Sequence, residues 1–268
     1  MIGFGQAWEK TFGGIGNDEG YSVQQNTDGG YIVCGRTESF GNGWSDVWLI
    51  KTDVNGDTLW TNTFGGTSTD EGYSVQQTND GGYIICGWTE SSGNGNKDVY
   101  LVKTDDNGDS LWTKTFGGTG NDEGYSVQQT NDGGYIICGY TESFGNGGYD
   151  VWLIKTDGNG IEQWNQLFGG TGYDVGYSVQ QTIDGGYIIA GRKEHSKESS
   201  KDPGYDLYLI KTDGDGNVTS TFNIPTPNTN RKLQKTVDIL GKETKPKTNT
   251  PFIEIYDDGT VEKKLIIE

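Results

Sequence analysis

The chain is built from an internal repeat with a period of 52 residues. The segment Tyr73–Gly87 returns without a change at Tyr125–Gly139. The motif TFGG, which is LFGG in the last copy, begins at Thr11, Thr63, Thr115 and Leu167. A fixed period of this size is the signature of a repeat architecture, in which each unit packs on its neighbours. The repeat therefore limits the fold more than any single residue does.

Each period reads as four short β-strands joined by tight turns. In the second copy the strands are YSVQQ, YIICG, DVYLVKTD and DSLWTKTF. Val, Ile, Tyr, Trp and Thr are frequent in them, and Asn-Gly or Asp-Gly pairs stand between them, which is the pattern of antiparallel hairpins. Runs such as YIIC and VWLI are apolar on both faces, which predicts small sheets covered on both sides.

Four antiparallel strands every ~40–50 residues are typical of a β-propeller blade. We therefore predict an all-β fold, a β-propeller of four-stranded antiparallel blades, over residues 1–225, with a short β tail over residues 226–268. The four blades begin near residues 21, 73, 125 and 177 and could be part of a larger ring. A stacked β-solenoid is the competing geometry.

The number of outer strands does not match the number of blades. Four copies of the first three strands accompany five candidate outer strands, of which Ala7–Phe12 is the first and Asn217–Asn223 the last. Ala7–Phe12 either closes a four-bladed ring at the position of Asn217–Asn223, or marks the chain as the end of a longer protein. The absence of a signal peptide at the start favours the second interpretation.

Composition excludes several classes of partner. The formal net charge is −18, and such an acidic surface repels phosphate backbones and anionic lipid headgroups. No stretch approaches the ~18 apolar residues that span a bilayer, so we expect neither nucleic-acid binding nor membrane insertion. Aromatic residues make up 12% of the chain, which is unlike a disordered composition.

The repeat resembles two known groups of β-propellers. The hairpin K-T-D-x-N-G-D-x-L-W, at Lys51–Trp60 and Lys103–Trp112, is similar to the docking hairpin of quinoprotein-type propellers. The whole repeat resembles the glycine-rich tandem-repeat propellers of bacterial surface and secreted proteins. The resemblance implies a propeller fold, and such propellers include enzymes, scaffolds and binding proteins. The ligands that hold pyrroloquinoline quinone in the dehydrogenases have no counterpart here.

The C-terminal segment has a different composition. Residues 226–268 begin in the polar, proline-containing linker IPTPNTN and continue with RKLQKTVDILGKETK and FIEIYDDGTVEKKLIIE. This segment resembles part of a type IX secretion sorting region, with EKKLIIE at Glu262–Glu268 as the final lysine-bearing strand. The resemblance implies recognition by the type IX secretion machinery and a secreted or outer cell-surface location. An ordinary C-terminal hairpin that turns at Asp257–Gly259 is the alternative.

The D-x-N-G-D turns are candidate calcium sites. Their oxygen-bearing side chains at positions 1, 3 and 5 resemble the start of a Ca²⁺ loop, but the glycine stands at position 4 and no Glu follows at 12. A tight turn needs Asn-Gly for its positive φ angles, so a structural turn is the favoured interpretation. No other cofactor is expected. The candidate ligands are Asp53, Asn55, Asp57, Asp105, Asn107 and Asp109.

One end of the sheets should display acidic and aromatic side chains from the loops. The candidate ligand-binding residues there are Trp44, Trp88, Tyr140, Glu38, Glu90 and Glu142. A ring beside carboxylates can stack on a sugar, whereas packing between blades is the favoured interpretation for any individual ring. The acidic pairs, such as Asp70-Glu71, recur in three of the four copies, while an active site is normally single, so loop hydrogen bonding is favoured over catalysis.

Departures from the repeat are further candidates. The fourth copy gains four residues between Gly191 and Asp206, and this insertion contains Arg192 and His195, the single histidine of the chain. Three cysteines occupy one repeat position, and Ala190 replaces them in the fourth copy, which predicts free, buried thiols. They are Cys34, Cys86 and Cys138.

Together these features predict a secreted or cell-surface β-propeller that acts as a binding or scaffold module. Its ligand would be a carbohydrate or a surface protein, recognised through the acidic, aromatic loop end. The alternatives are a carbohydrate-active or quinoprotein-like enzyme whose catalytic part is asymmetric or outside this chain, and a structural spacer. An enzyme would show one pocket with unrepeated acid, base or metal groups.

Overall fold

The computed structural model describes residues 7–195, 204–218, 232–238, 242–248, 252–257 and 261–264. The chain divides into two compact units, Met1–Ser220 and Thr221–Glu268. No helix long and apolar enough to cross a bilayer occurs in the described residues.

The first unit contains four sheets in which strand order follows chain order and all neighbours are antiparallel. The first sheet is β1 (Asp18–Gln25), β2 (Tyr31–Thr37), β3 (Asp46–Thr52) and β4 (Thr58–Phe64). The second is β5 (Asp70–Gln77), β6 (Tyr83–Thr89), β7 (Asp98–Thr104) and β8 (Ser110–Phe116). The third is β9 (Asp122–Gln129), β10 (Tyr135–Thr141), β11 (Asp150–Thr156) and β12 (Glu162–Phe168). The fourth has three strands in the described residues: β13 (Val175–Gln181), β14 (Tyr187–His195) and β15 (Gly204–Thr212).

The predicted all-β fold of repeated four-stranded antiparallel sheets is confirmed. Every strand pairing in this unit lies within one repeat, whereas a solenoid would pair strands of successive repeats. The sheets are propeller-like blades, since the first strand of each lies against the first strand of the next. They form an open series, because no comparable packing joins the fourth sheet to the first in the described part of the chain.

The first strand of each blade starts earlier than the sequence suggested. β1 begins at Asp18 rather than near Tyr21, because Asp18, Glu19 and Gly20 continue the pairing with β2 across a bulge. The bulge recurs in every sheet at the corresponding position. It allows the acidic pair to belong to the strand instead of the preceding loop.

The segment Ala7–Phe12 forms no strand and pairs with none of the strands in the described residues. Its side chains nevertheless pack as those of an outer strand do. The ring of Trp8 lies 5.7 Å from that of Tyr31, as Trp60 of β4 lies 5.8 Å from Tyr83 in the next sheet. At the other end, Val218 bridges to Thr212, and residues 219–223 of the second candidate outer strand lie outside the described residues.

The second unit, in its described residues, is a three-stranded antiparallel sheet. Its strands are β16 (Leu233–Val237), β17 (Phe252–Tyr256) and β18 (Val261–Lys264). Phe252 and Val237 are buried within it.

Each sheet of the first unit has two apolar faces that meet its neighbours. We call the side toward the following sheet the trailing face and the side toward the preceding sheet the leading face. At the first junction, the trailing face supplies Ile32, Cys34, Val47 and Leu49, and the leading face supplies Val75, Tyr83, Ile85 and Tyr100. The same positions meet at the next two junctions. This burial on both sides explains why YIIC and VWLI carry no polar alternation.

Hydrogen bonds join the first strands of successive sheets. Ser22 Oγ accepts from the backbone N–H of Val75 at 3.2 Å, and Gln24 Oε1 accepts from that of Gln77 at 2.6 Å. The other two junctions repeat both bonds at the same distances. The N–H groups on the outer side of an edge strand need such partners when they are buried. The motif YSVQQ therefore encodes the contact between sheets as well as the strand.

The cysteines pack against a glycine of the next sheet. All three are buried and free, as predicted. A Cβ added at Gly124 would collide with the Cys86 sulfur, and the glycines of the other junctions stand in the same relation to the sulfurs there. Loss of solvent on burial raises the pKa of Cys34 to about 12, so the thiol is not a nucleophile at neutral pH.

This close approach yields a test of the junction. We expect Gly124→Ala to lower the free energy of unfolding by about 1–3 kcal/mol, because the new methyl group overfills a packed interface. The matched control is Gly20→Ala at the same repeat position, where the nearest atom to an added Cβ belongs to Val33 at 3.4 Å. Urea denaturation measures both. Equal losses in the two variants would contradict the packing explanation, and recovery in Cys86→Ala/Gly124→Ala would support it.

Candidate functional site

The aspartates of the acidic pairs organise the loops at one end of the sheets. Asp70 Oδ2 accepts from the N–H of Gly66 at 2.9 Å and from the hydroxyl of Ser91 at 2.6 Å. Asp46, at the start of β3, accepts from the N–H groups of Asn42 and Gly43 at 2.9 and 3.1 Å. Burial and the neighbouring Asp70 raise the pKa of Asp46. These carboxylates accept hydrogen bonds from loop amides and a loop hydroxyl, which is the favoured loop-bonding role, while Asp70 Oδ1 is buried without a partner in the described residues.

Glu38 and Glu142 are also committed to loop geometry. Glu38 Oε2 accepts from Asn17 Nδ2 at 2.8 Å, and Glu142 Oε2 accepts from Asn121 Nδ2 at 2.6 Å. In the second repeat Thr69 stands where the first and third have Asn, and Glu90 is exposed at the surface. The repeated glutamates therefore differ in what they offer to a ligand.

Two of the three candidate aromatic platforms, Trp88 and Tyr140, are buried, as the favoured interpretation of packing between blades predicts, and they offer no exposed ring to a ligand. Trp88 is 3% exposed, donates from Nε1 to the Tyr73 hydroxyl at 3.1 Å, and has the Lys97 ammonium 3.9 Å from its ring centroid. Tyr140 packs with its ring 4.3 Å from that of Tyr149. Both residues lie at the end of a second strand, where the junction with the next sheet covers them.

Trp44 is the exception, because its side chain is 83% exposed. Its loop is held in place: the Trp44 N–H donates to the carbonyl of Ser68 at 3.2 Å, and Asp46 binds the two amides just before it. Phe40 of the same loop is half exposed, with its ring 5.4 Å from that of Trp48. We call residues 38–45 the Trp44 loop. It combines a free indole face with a fixed backbone.

A row of tyrosines crosses all four sheets and was missed by the sequence analysis. Neighbouring ring centroids lie 5.1, 5.2 and 5.6 Å apart. In the first three sheets the hydroxyl donates to the Glu two residues earlier, for example Tyr73 to Glu71 at 2.8 Å. Burial, followed by the bond to Glu19, raises the pKa of Tyr21 to about 12. The tyrosine row consists of Tyr21, Tyr73, Tyr125 and Tyr177.

Cations link this row across the junctions. Arg36 lies 2.7 Å from Glu19 of its own sheet and 3.0 Å from Glu71 of the next. At the second junction Lys97 pairs with Glu123 at 2.8 Å. The hydrogen bond from Arg36 lowers the pKa of Glu19. The two members of each acidic pair therefore have different roles: the Asp accepts hydrogen bonds from a loop, and the Glu pairs with a cation at a junction between sheets.

The fourth-copy insertion lengthens a hairpin. β14 runs through Arg192 to His195, which pairs with Gly204 of β15. The Arg192 guanidinium lies 4.4 Å from the ring centroid of Tyr205. The side chain of His195 and residues 196–203 lie outside the described residues.

The candidate calcium ligands form tight turns. Asp105 Oδ1 accepts from the N–H groups of Asn107 and Asp109, each at 2.9 Å, and Gly108 adopts φ 82°. The turn at Asp53, Asn55 and Asp57 is built in the same way, and Asp57 pairs with Lys10 at 2.7 Å. Hydrogen bonds from the turn amides lower the pKa of Asp53. Within the described residues, no three acidic, His or Cys side chains are grouped to hold a metal.

Buried lysines hold the turns between the first and second strands, and sequence analysis assigned them no role. Lys155 is almost fully buried, with Nζ 2.8 Å from Asp132 and 2.9 Å from the Thr156 carbonyl. Burial acts to raise the pKa of Asp132, but bonds from Lys155 and its neighbours outweigh it and bring the pKa down to about 2. The equivalent pairs are Lys51–Asp28, Lys103–Asp80 and Lys211–Asp184. Since every copy carries the pair, it is a structural element.

The geometry defines an all-β repeat protein of propeller-like sheets that carries the exposed Trp44 on one of its loops. No family model matches the chain. The regulatory protein FlaEY of Caulobacter vibrioides is 27% identical over 204 residues, which is 66% of this chain and 21% of that protein. The chain therefore spans about a fifth of the length of this relative.

Solved structures show weak similarity. Sqt1 from Chaetomium thermophilum has a TM-score of 0.38 at 14% identity, covering 66% of this chain and 41% of that one. Endo-1,5-alpha-L-arabinanase from Thermotoga petrophila has a TM-score of 0.37 at 13% identity, covering 90% and 69%. Both scores are low, so the description of the fold rests on the strand pairing.

The turn geometry predicts the response to calcium. We expect the melting temperature to be the same in millimolar Ca²⁺ and in chelator, because the oxygens of Asp105 already serve the turn. Asp105→Ala should lower the free energy of unfolding by about 1 kcal/mol, since two amides lose their acceptor. Asp106→Ala, in the same turn, is the control. Calcium-dependent stabilisation that disappears in Asp105→Ala would instead establish a metal site.

Proposed function

We propose that the protein is a secreted or cell-surface binding or scaffold module that recognises a carbohydrate or a protein partner through the Trp44 loop. The observation that supports this most directly is the exposure of Trp44 on a loop whose backbone is fixed by Asp46 and Ser68. A rigid aromatic side chain loses little conformational entropy on binding, and tryptophan is frequent among residues that dominate binding energy.

The surroundings of Trp44 favour a neutral ligand. The indole face can stack on the apolar face of a sugar ring, while the partly exposed Glu38 carboxylate can accept hydrogen bonds from hydroxyl groups. The net charge of −18 disfavours anionic polysaccharides. Neutral glycans are therefore the first carbohydrates to test, and a protein ligand would present a neutral or basic surface.

The binding test compares Trp44→Ala with Leu111→Ala. Leu111 is 58% exposed on β8, away from the Trp44 loop, so its truncation controls for the loss of an exposed apolar side chain. On an array of neutral glycans, with affinities measured by fluorescence titration, Trp44→Ala should weaken binding by roughly 30-fold, as expected for a dominant contact of about 2 kcal/mol. Leu111→Ala should bind like the unmodified chain.

A photo-crosslinking residue at position 44, applied to cell surfaces, tests the protein-partner alternative with the same control at position 111. Binding that is unaffected by Trp44→Ala, or equally reduced by both variants, would contradict the proposed site.

We propose further that residues 226–268 direct export through the type IX machinery. The proposal is supported by the resemblance of this segment and by its folding as a unit with three antiparallel strands, the last of which, Val261–Lys264, carries two lysines.

Export is tested in a bacterium that has a type IX system, with the same signal peptide added to every variant. The full chain should reach the medium or the cell surface, whereas deletion of residues 226–268 should leave it in the periplasm. Replacement of Lys263 and Lys264 by Ala tests the strand more narrowly. Equal export of the full and the truncated chain would contradict a sorting role.

A further inference from the structure

At each end of the series of sheets, one sheet face lacks the adjoining sheet that covers the equivalent face at the internal junctions. The trailing face of the fourth sheet has no following sheet in the described residues, and the leading face of the first has no preceding sheet. Since every internal junction uses the same positions, each end face can be compared residue by residue with a junction that is already formed.

The trailing face of the fourth sheet is apolar and exposed. Leu207 is 79% exposed and Leu209 is 51% exposed, whereas Val47 and Leu49, their counterparts in the first sheet, are completely buried. Ala190 is also exposed here, at the position where the other sheets bury a cysteine. Exposed aliphatic side chains at positions built for burial indicate an interaction surface.

The leading face of the first sheet is the complementary half. Val23 is 66% exposed, whereas its counterpart Val75 is 7% exposed under the first sheet. A cleft on this face is lined by Phe12, Gly20, Val33, Trp48 and Ile50. At internal junctions the glycine equivalent to Gly20 receives a cysteine sulfur from the preceding sheet, but at Gly20 that space is open. The smaller methyl group of Ala190 suits the same position.

The charges on the two end faces are also complementary. Arg192 is the fourth-copy counterpart of Arg36, which pairs with Glu71 of the following sheet at 3.0 Å. Val175 replaces the glutamate that Arg36 finds in its own sheet, so Arg192 lacks that ion pair. Glu19 is the counterpart of Glu71 on the first sheet and is 46% exposed. A junction between the two ends would place Arg192 against Glu19.

The hydrogen-bonding groups of the first strands at the two ends are also complementary. At each internal junction, a Ser and a Gln of one first strand accept from the N–H groups of the next. Ser178 and Gln180 of β13 occupy the accepting positions at the trailing end, and Val23 and Gln25 occupy the donating positions at the leading end.

We propose that the trailing face of the fourth sheet binds the leading face of the first sheet of a second copy of this chain. The contact repeats the internal junction, with Leu207, Leu209 and Ala190 packing over Val23 and Gly20 of the second copy, and Arg192 pairing with its Glu19. Such a head-to-tail contact uses two different surfaces, so it either closes into a ring of copies or continues as an open series.

The test uses two variants that each block one face. Leu207→Glu blocks the trailing face and Val23→Glu blocks the leading face, and both residues are exposed, so the fold should be retained. Light scattering after size exclusion should give two or more chains for the unmodified protein and one chain for each variant alone. An equimolar mixture should give two chains, because it still contains one intact face of each kind. Leu59→Glu, at an exposed leucine of β4, should associate like the unmodified protein.

Each result decides the proposal. Circular dichroism and melting curves establish that the variants are folded; if Leu207→Glu fails this check, Arg192→Glu takes its place, since it sets a carboxylate against Glu19. An unmodified protein with the mass of one chain at every concentration overturns the proposal, because the end faces are then free or covered by other parts of the same chain. Variants that still associate alone, or a mixture that stays at one chain, overturn the head-to-tail contact.

Discussion

The structure depends on the junction between successive sheets. A four-stranded sheet that is apolar on both faces cannot remain in water alone, and the second and third sheets here are covered by the sheets before and after them. Within the junction, apolar burial supplies most of the stabilising free energy. The hydrogen bonds from Ser and Gln side chains to the first strand of the following sheet set the offset between the two sheets. Because the unit repeats with so little change, one junction specifies all of them. The loops and turns of the first unit are carried by sheets that this contact stabilises.

The parts of the fold that depend on local pattern can be predicted from the sequence. The strands are visible in YIIC and VWLI, the turns in Asn-Gly and Asp-Gly, and the buried cysteines in their replacement by Ala190. These features follow from side-chain periodicity and backbone geometry within one repeat. The start of each first strand was misplaced because a bulge interrupts the alternation after Gly20.

The contacts between repeats could not be derived in the same way, because they depend on the offset between sheets. The pattern favours packing between blades for any individual ring, but it does not tell which rings are covered: the following sheet covers Trp88 and Tyr140, whereas Trp44 is exposed. The tyrosine row and the buried Lys155–Asp132 pair join residues from different strands, and no spacing within one strand reveals them.

The unchanged return of Tyr73–Gly87 at Tyr125–Gly139 has a consequence for folding. The second and third sheets present nearly the same surface to the first sheet. Sheets could therefore pack out of order during folding, with one sheet left out of the series. The variable positions reduce this degeneracy. Arg36 can pair with a glutamate in the second or third sheet, whereas in the fourth it would face Val175 and keep only the Glu19 of its own sheet as a partner. The differences among the otherwise similar copies therefore make packing in the correct order more stable than packing out of order.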